Sequence, residues 1–417
     1  LKASREMKKD IIKKGYYDII MKNFIFISPN FPENYWHFCR ELKNNGLNVL
    51  GIGDAPYDNL CPELKDSLNE YYKVGSLENY DEVCRAVDFF RNKYGEIDWL
   101  ESNNEYWLER DARLRTDFNI KTGFHNEDMP KVKYKSRMKE FYARAGIPTA
   151  RYHIVDSWEN CMAFIQEVGY PVIVKPNNGV GASFTYKLNN QDEVAYFFAT
   201  KFSHIEYIME EYIYAEINSY DAIINSHGEP IFEIGNVTPM SLMDVVNNAD
   251  NSIFYILNNL ADDTRAMGRA TVKSFGVKSR FVHFEFFRLL KDHEGLGRKG
   301  ELIGLEVNMR PSGGISPDMM NFSQSTDVYK IWADMIAYDS SLRGIGQTAF
   351  CAFAGRRDGK NFVISDEDIM RKYGANMKMA GRVAEALSGA MGNRMYIANF
   401  NTREEMDAFY RDVLACR

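Results

Sequence analysis

Two short segments of this chain place carboxylates where an apolar strand would otherwise run: Phe284–Phe286, read Phe-Glu-Phe, and Leu305–Arg310, read Leu-Glu-Val-Asn-Met-Arg. An unpaired charge inside an apolar strand is expensive, so each carboxylate calls for a cation. Side chains two apart on a strand share a face, which sets Glu306, Asn308 and Arg310 side by side. Glu285, Glu306 and the Asn308 amide oxygen are hard ligands of the kind Mg²⁺ takes between polyphosphate oxygens, and Arg310 can hold a transferring phosphoryl group. Buried Glu–Arg bridges between neighbouring strands would satisfy the same charges, but such pairs are rarely a net gain in stability.

Upstream, the segment Gly169–Phe184 (GYPVIVKPNNGVGASF) ends a buried strand with Lys175 and follows it with a loop carrying Gly179, Gly181 and Ser183. Backbone N–H groups of such a loop can close over phosphate oxygens while the lysine neutralises them; a hairpin turn beside a snorkelling lysine is the bland alternative. Lys135 stands at the start of a helical pattern that ends at Gly146, and a helix N-terminus suits anions. Alone it reads as a solvated surface lysine. The strand Tyr207–Ile213 (YIMEEYI) is interrupted by Glu210 and Glu211. A strand edge with a carboxylate suits adenine, although two exposed acids at a strand end are commoner. Glu101, Asn104 and Glu105 follow another strand, where α/β sheets place ligand loops, but helix capping by Asn104 explains them nearly as well.

The elements that must hold these residues come in two styles. From Lys22, strand, helix and strand succeed one another (NFIFIS, PENYWHFCRELKNNG, LNVLGIG), then a helix around 79–94 and a strand at Ile97–Glu101: a small doubly wound α/β unit. Its first turn, Ser28–Asn34, has prolines and no glycine, so it is not a dinucleotide fingerprint. After a polar stretch at His125–Lys133 come a helix at Ser136–Ala145, strands at Ala150–Val155, Pro171–Lys175, Ser183–Lys187 and Tyr207–Glu211, and a helix at Trp158–Val168. A strand–turn–strand pattern at Glu216–Phe232, then Arg280–Leu290 with Glu301–Met309, predict an α+β body on antiparallel strands. Beyond residue 345, TAFCAFAGRRD reads as a strand followed by two helical patterns.

Composition sets the outer bounds. The chain has 417 residues, 45% hydrophobic and 26% charged, too long for one core. A formal net charge of -7 disfavours nucleic acid and anionic membranes as partners. Six scattered cysteines without a C-x-x-C pair fit neither a zinc site nor a disulfide framework and suit a reducing, cytoplasmic compartment. No apolar run is long enough to span a bilayer. The histidines form no H-E-x-x-H pattern, and no P-loop or G-x-S-x-G elbow is present. The lysine-rich first twenty residues read as an extension.

In order and spacing, Lys135, Lys175 before a Gly-rich flap, the Glu210–Glu211 pair and the Glu285, Glu306, Asn308, Arg310 set resemble the ATP-grasp superfamily, over about residues 21–417. The resemblance implies ATP between two α+β lobes behind a Rossmann-like N-terminal lobe: residues 1–20 an extension, 21–125 the pre-ATP-grasp α/β domain, 126–213 the small lobe with its flap, 214–345 the large lobe with the metal site, and 346–417 a C-terminal α+β subdomain. It implies Lys135 and Lys175 on the phosphates and residues 177–183 as the flap. Glu210 would meet the adenine amine, and Glu211, Tyr212 and Ile213 would form the hinge strand. Glu285, Glu306 and Asn308 would hold Mg²⁺, or Mn²⁺ in its place, and Arg310 would steady an acyl phosphate. Many relatives carry Gly-x-Glu after the hinge for the ribose; this chain reads Tyr214-Ala215-Glu216, and His283 stands where arginine is frequent.

The segments Gly314–Trp332 (GISPDMMNFSQSTDVYKIW) and Cys351–Lys360 (CAFAGRRDGK) resemble the carboxylate–amine and dipeptide ligase branch, which implies small-molecule or peptide carboxylate and amine substrates, ADP and phosphate as products, and compatibility with a homodimer. Two rivals remain: a carboxylase or carbamoyl-phosphate-type enzyme using bicarbonate, and a nucleotide-binding module without catalysis.

Overall fold

The computed structural model describes residues 22–179, 184–239 and 250–417; the N-terminal extension and part of the flap, with Gly181 and Ser183, lie outside them. The N-terminal unit is a parallel sheet of β1 (Asn23–Ile27), β2 (Asn48–Gly53), β3 (Glu70–Lys73) and β4 (Trp99–Glu101) in the order β3-β2-β1-β4. All five residues of β1 are buried, as a strand covered on both faces requires. Helix Trp36–Asn44 returns the chain through a tight turn at Gly46, where φ is +84°. Helix Tyr80–Tyr94 starts on Asn79, whose side chain accepts from the Glu82 N–H, and buries the predicted stripe of Val83, Ala86, Val87 and Phe90.

A second, antiparallel sheet joins β5 (Tyr152–Ile154), β6 (Val172–Pro176), β7 (Tyr186–Leu188) and β8 (Tyr207–Glu211) in the order β5-β8-β6-β7. Helices Trp158–Val168 and Gln191–Thr200 pack on one face, with Phe164, Val174, Phe197 and Met209 in the core between. The third sheet has nine strands: β9 (Ala215–Ile224), β10 (Pro230–Ile234), β11 (Asn236–Thr238), β12 (Ser252–Ile256), β13 (Arg280–Leu289), β14 (Leu302–Asn308), β15 (Phe350–Arg356), β16 (Met377–Arg382) and β17 (Arg394–Phe400). They run β14-β13-β9-β11-β12-β15-β17-β16, with β10 beside β9. Residues after 345 thus continue the sheet begun by β9–β14. The two helical patterns expected there are three helices with β16 and β17 between them. β16 is an edge strand alternating between half-buried and exposed residues, too weak an apolar alternation to read from sequence.

Helices Ser316–Gln324 and Val328–Tyr338 fill the space between the parallel sheet and the large sheet. Trp332 is the hub there, edge-on to Phe24 and Phe38 at centroid distances of 5.7 and 4.9 Å. No helix among the described residues is long and apolar enough to cross a membrane.

One ion network ties the N-terminal sheet to the large one. Glu101 on β4 accepts from Arg115 at 2.9 Å and from Arg280 on β13, and all three side chains are buried. Burial alone would raise the Glu101 pKa; Arg280 and Arg115 outweigh it and hold the carboxyl below its usual range. Its contribution is therefore present above the unfolded carboxylate pKa and lost as pH falls through the depressed folded value. Glu101→Ala strands two buried guanidinium groups, so the free energy of unfolding is expected to drop by about 3–5 kcal/mol. Urea denaturation would show this, and an unchanged midpoint would exclude it.

Candidate active site

A cleft of about 460 Å³ opens between the β5–β8 sheet and the large sheet. Lys135, Lys175, Glu210, Glu211, Tyr212, Ile213, Glu285, Glu306, Asn308 and Arg310 all line it. Lys135 and Glu306, 171 positions apart in sequence, thus meet because helix Lys135–Arg144 lies across β14, with Gly304 giving way to the Tyr142 ring: a Cβ there would sit 2.9 Å from that ring.

Lys135 opens its helix and reaches two ways, donating to the Gly179 carbonyl at 3.1 Å and facing Glu306 at 3.4 Å. Gly179 therefore touches the site through its backbone. Asn177 fastens the start of the flap to this helix: its carbonyl accepts from the Lys135 N–H and its Oδ1 from the Ser136 N–H, both at 2.9 Å.

Glu210 departs from its expected role. Its carboxylate is clamped by Lys175 at 2.6 Å and Lys139 at 2.7 Å, so it is not free for an adenine amine. Burial would raise its pKa, but Lys139 and Lys175 bring it to about 2. Lys175 is pushed down by burial and lifted more by Glu210 and Glu306, for a net rise. Lys139, one helical turn beyond Lys135, was not singled out in the sequence, because a lysine in an amphipathic helix reads as solvated surface. Glu211 points the other way and is gripped by Arg151, with Nη2 at 2.6 Å and Nε at 2.9 Å. After Glu211 the chain leaves the sheet. Among the described residues, the Ile213 N–H has no hydrogen-bond partner, although Ile213 is buried in the cleft wall.

On β13 and β14, Glu285 and Glu306 are directly paired across the ladder. Like charges in that position repel; among the described residues Lys135 pairs with Glu306 and His283 with Glu285, and the Lys175 and Arg310 charges also act on the pair. His283 is held between Asp221 at 2.8 Å and Glu285 at 3.1 Å. Burial alone would lower its pKa, but the two carboxylates lift it to about 9, so it is an imidazolium at neutral pH. It supplies the charge expected from an arginine. Two facing carboxylates with an amide oxygen on the same face fit a divalent cation. Arg310 donates to the Pro311 carbonyl at 2.8 Å and lies 3.6 Å from Glu105 of the β4 loop. The Glu105 Oε2 is buried without a hydrogen-bond partner.

Glu216 is not part of the cleft. Ala215 and Ile217 line it, and strand alternation turns Glu216 to the opposite face, where it accepts from Asn218 at 3.3 Å and Asn218 in turn accepts from Arg288.

The chain is similar to several known proteins. The family model "Carbamoyl-phosphate synthase L chain, ATP binding domain" matches residues 131–220. The L-arginine-specific L-amino acid ligase of Bacillus subtilis is 26% identical over 303 residues, 70% of this chain and 70% of that protein. The alpha-aminoadipate–LysW ligase LysX of Saccharolobus solfataricus is 31% identical over 187 residues; the match takes in 42% of this chain and 63% of that one, under two thirds of its length. Among solved structures, the L-amino acid ligase from Bacillus licheniformis superposes with a TM-score of 0.68 at 15% identity, covering 94% of this chain and 96% of that one. N5-carboxyaminoimidazole ribonucleotide synthetase from Thermotoga maritima gives 0.63 at 13% identity over 95% and 98%. With the lysines, the paired glutamates and the segment Glu211–Ile213 in one cleft, and a fold matched along nearly the whole chain, the protein has the ATP-grasp fold.

Proposed function

We propose that this protein is an ATP-dependent carboxylate–amine ligase, which phosphorylates a carboxylate and joins it to an amine with release of ADP and phosphate. The observation that carries the reading is the convergence of Lys135, Lys175, Glu285, Glu306, Asn308 and Arg310 on one cleft. The amino acid ligases among its relatives support it. The Ile213 N–H, without a partner among the described residues, would serve the adenine ring, with neighbouring backbone carbonyls taking the exocyclic amine in place of the occupied Glu210 side chain. Lys135 and Lys175 neutralise phosphate oxygens. Glu285, Glu306 and Asn308 would hold Mg²⁺, which when bound supplies charge neutralisation between phosphate groups. The substrate carboxylate then attacks the γ-phosphate, with Arg310 holding the phosphoryl oxygens, and the amine displaces phosphate from the acyl phosphate. Dependence on ATP suits a cytoplasmic site of action.

The test is a phosphate-release screen of carboxylates against amines, with ¹⁸O in the substrate carboxylate. One labelled oxygen is expected in inorganic phosphate for each amide formed, because the C–O bond to the activated oxygen breaks when the amine attacks. Label in AMP would place the enzyme among adenylating ligases. ATP turnover driven by bicarbonate alone would favour a carboxylase.

A further inference from the structure

We propose that the far end of the cleft is a pocket for the apolar side chain of one of the two substrates, an assignment that rests on the ligase reading above. The cleft floor crosses β14, β13, β9, β11 and β12, and its two ends differ in character. Every charged lining residue among those described, from Lys135 to Arg310, lies on the small lobe or on β13, β14 and the turn after β14. Over β11 and β12 the described lining is Asn236, Thr238, Ser252 and Phe254, and the wall above them is Leu387, Ala390 and Met391. These three stand at i, i+3 and i+4 on helix Glu385–Met391, hence on one face. They are only partly buried.

That wall is firmly built. Arg357 donates to the carbonyls of Ser388 at 2.8 Å, which also accepts from the Gly392 N–H, and Gly389 at 2.6 Å, and its Nε binds the Asp250 carbonyl at 3.0 Å ahead of β12. The helix end sits so close over β15 that a Cβ at Gly355 would lie 2.0 Å from the Met391 carbonyl oxygen. Phe254 is fixed by stacking on Phe353 at 4.6 Å. Met391 and Leu387 meet Gly314, four residues past Arg310: a Cβ there would lie 3.2 Å from the Met391 sulfur and 3.9 Å from Leu387. An anchored apolar face beside the phosphoryl-holding arginine is where a substrate would carry its side chain while its reacting group faces Arg310. A charged side chain placed there would be desolvated with no counter-ion among the described residues.

The experiment measures kcat/KM for alanine, leucine, methionine and phenylalanine against arginine, lysine and aspartate, each offered as carboxylate and as amine, in the native enzyme and in Leu387→Glu and Ala390→Leu. The apolar substrates are expected to lead. Leu387→Glu should lower their kcat/KM by about 10- to 100-fold, with the loss in the KM of the side-chain-bearing substrate and not in that of ATP. Ala390→Leu should shift preference from phenylalanine toward alanine. A native preference for charged substrates, an unaltered ranking in both variants, or a loss confined to the KM for ATP overturns the pocket and leaves the ligase reading standing. No phosphate release from any pair overturns both.

Discussion

Glu306→Gln is expected to lower ligase turnover by about 100- to 1,000-fold, the usual loss when one preorganised electrostatic element is removed. The change is nearly isosteric, so the packing of β14 against β13 should persist. Stability should hold or rise slightly, because Glu306 directly faces Glu285 across the ladder and the substitution removes that repulsion. Lys135, 3.4 Å away, keeps its second partner in the Gly179 carbonyl. Loss of turnover combined with an unchanged denaturation midpoint is therefore the signature of a ligand role, and the Mg²⁺ concentration giving half-maximal activity should rise. A purely structural Glu306 would lose stability and activity together. Native turnover in a folded Glu306→Gln enzyme would remove these carboxylates from the proposed metal site.

What the sequence disclosed about this cleft was governed by strand parity. Glu306 and Asn308 could be placed together because a period of two is rigid along a strand, whereas Arg310 lies in the bend after β14 and reaches Asn308 at 3.4 Å. Glu216 was reached through the resemblance, in the place of the Gly-x-Glu of many relatives, and β9 turns it to the face away from the cleft, which Ala215 and Ile217 line. Glu101 looked like part of a ligand loop and is instead a bridge between sheets, because its partner Arg280 is 179 positions away. Asn104, read as a helix cap, accepts from the Tyr106 N–H in a local turn. Three of the four strands of the parallel N-terminal sheet were legible from their buried runs and the Gly46 turn; β3, half-buried or exposed throughout, was not. β11, three residues long with two of them polar, carries no alternation to read. The partners that fix site residues, Lys139, Arg151 and Arg357, were invisible because a long cationic side chain looks alike in solvent and in a buried clamp.

Glu210→Gln tests the clamp that this blindness concealed. Native Glu210 faces Lys139 and Lys175 at 2.7 and 2.6 Å, and all three side chains are largely buried. Removing the carboxylate leaves two ammonium groups close together in a low-dielectric site, a change that typically destabilises by about 3–5 kcal/mol. Lys175 should then retreat from the position proposed for phosphate binding, raising KM for ATP. Removing Lys139 as well, in Glu210→Gln/Lys139→Met, takes away one uncompensated charge, so the double variant should be more stable than Glu210→Gln alone. That non-additivity separates a charge clamp from simple packing. The pH dependence has a definite sign. With a folded pKa of about 2, below the unfolded value near ~4.3, Glu210 contributes stability above the unfolded pKa and loses it as pH falls toward about 2. The native protein should therefore lose more stability between neutral pH and pH 3 than Glu210→Gln does, measured by urea midpoints across that range. Equal losses in the two proteins, with additive single and double variants, would show that Glu210 carries no charge that matters to Lys175.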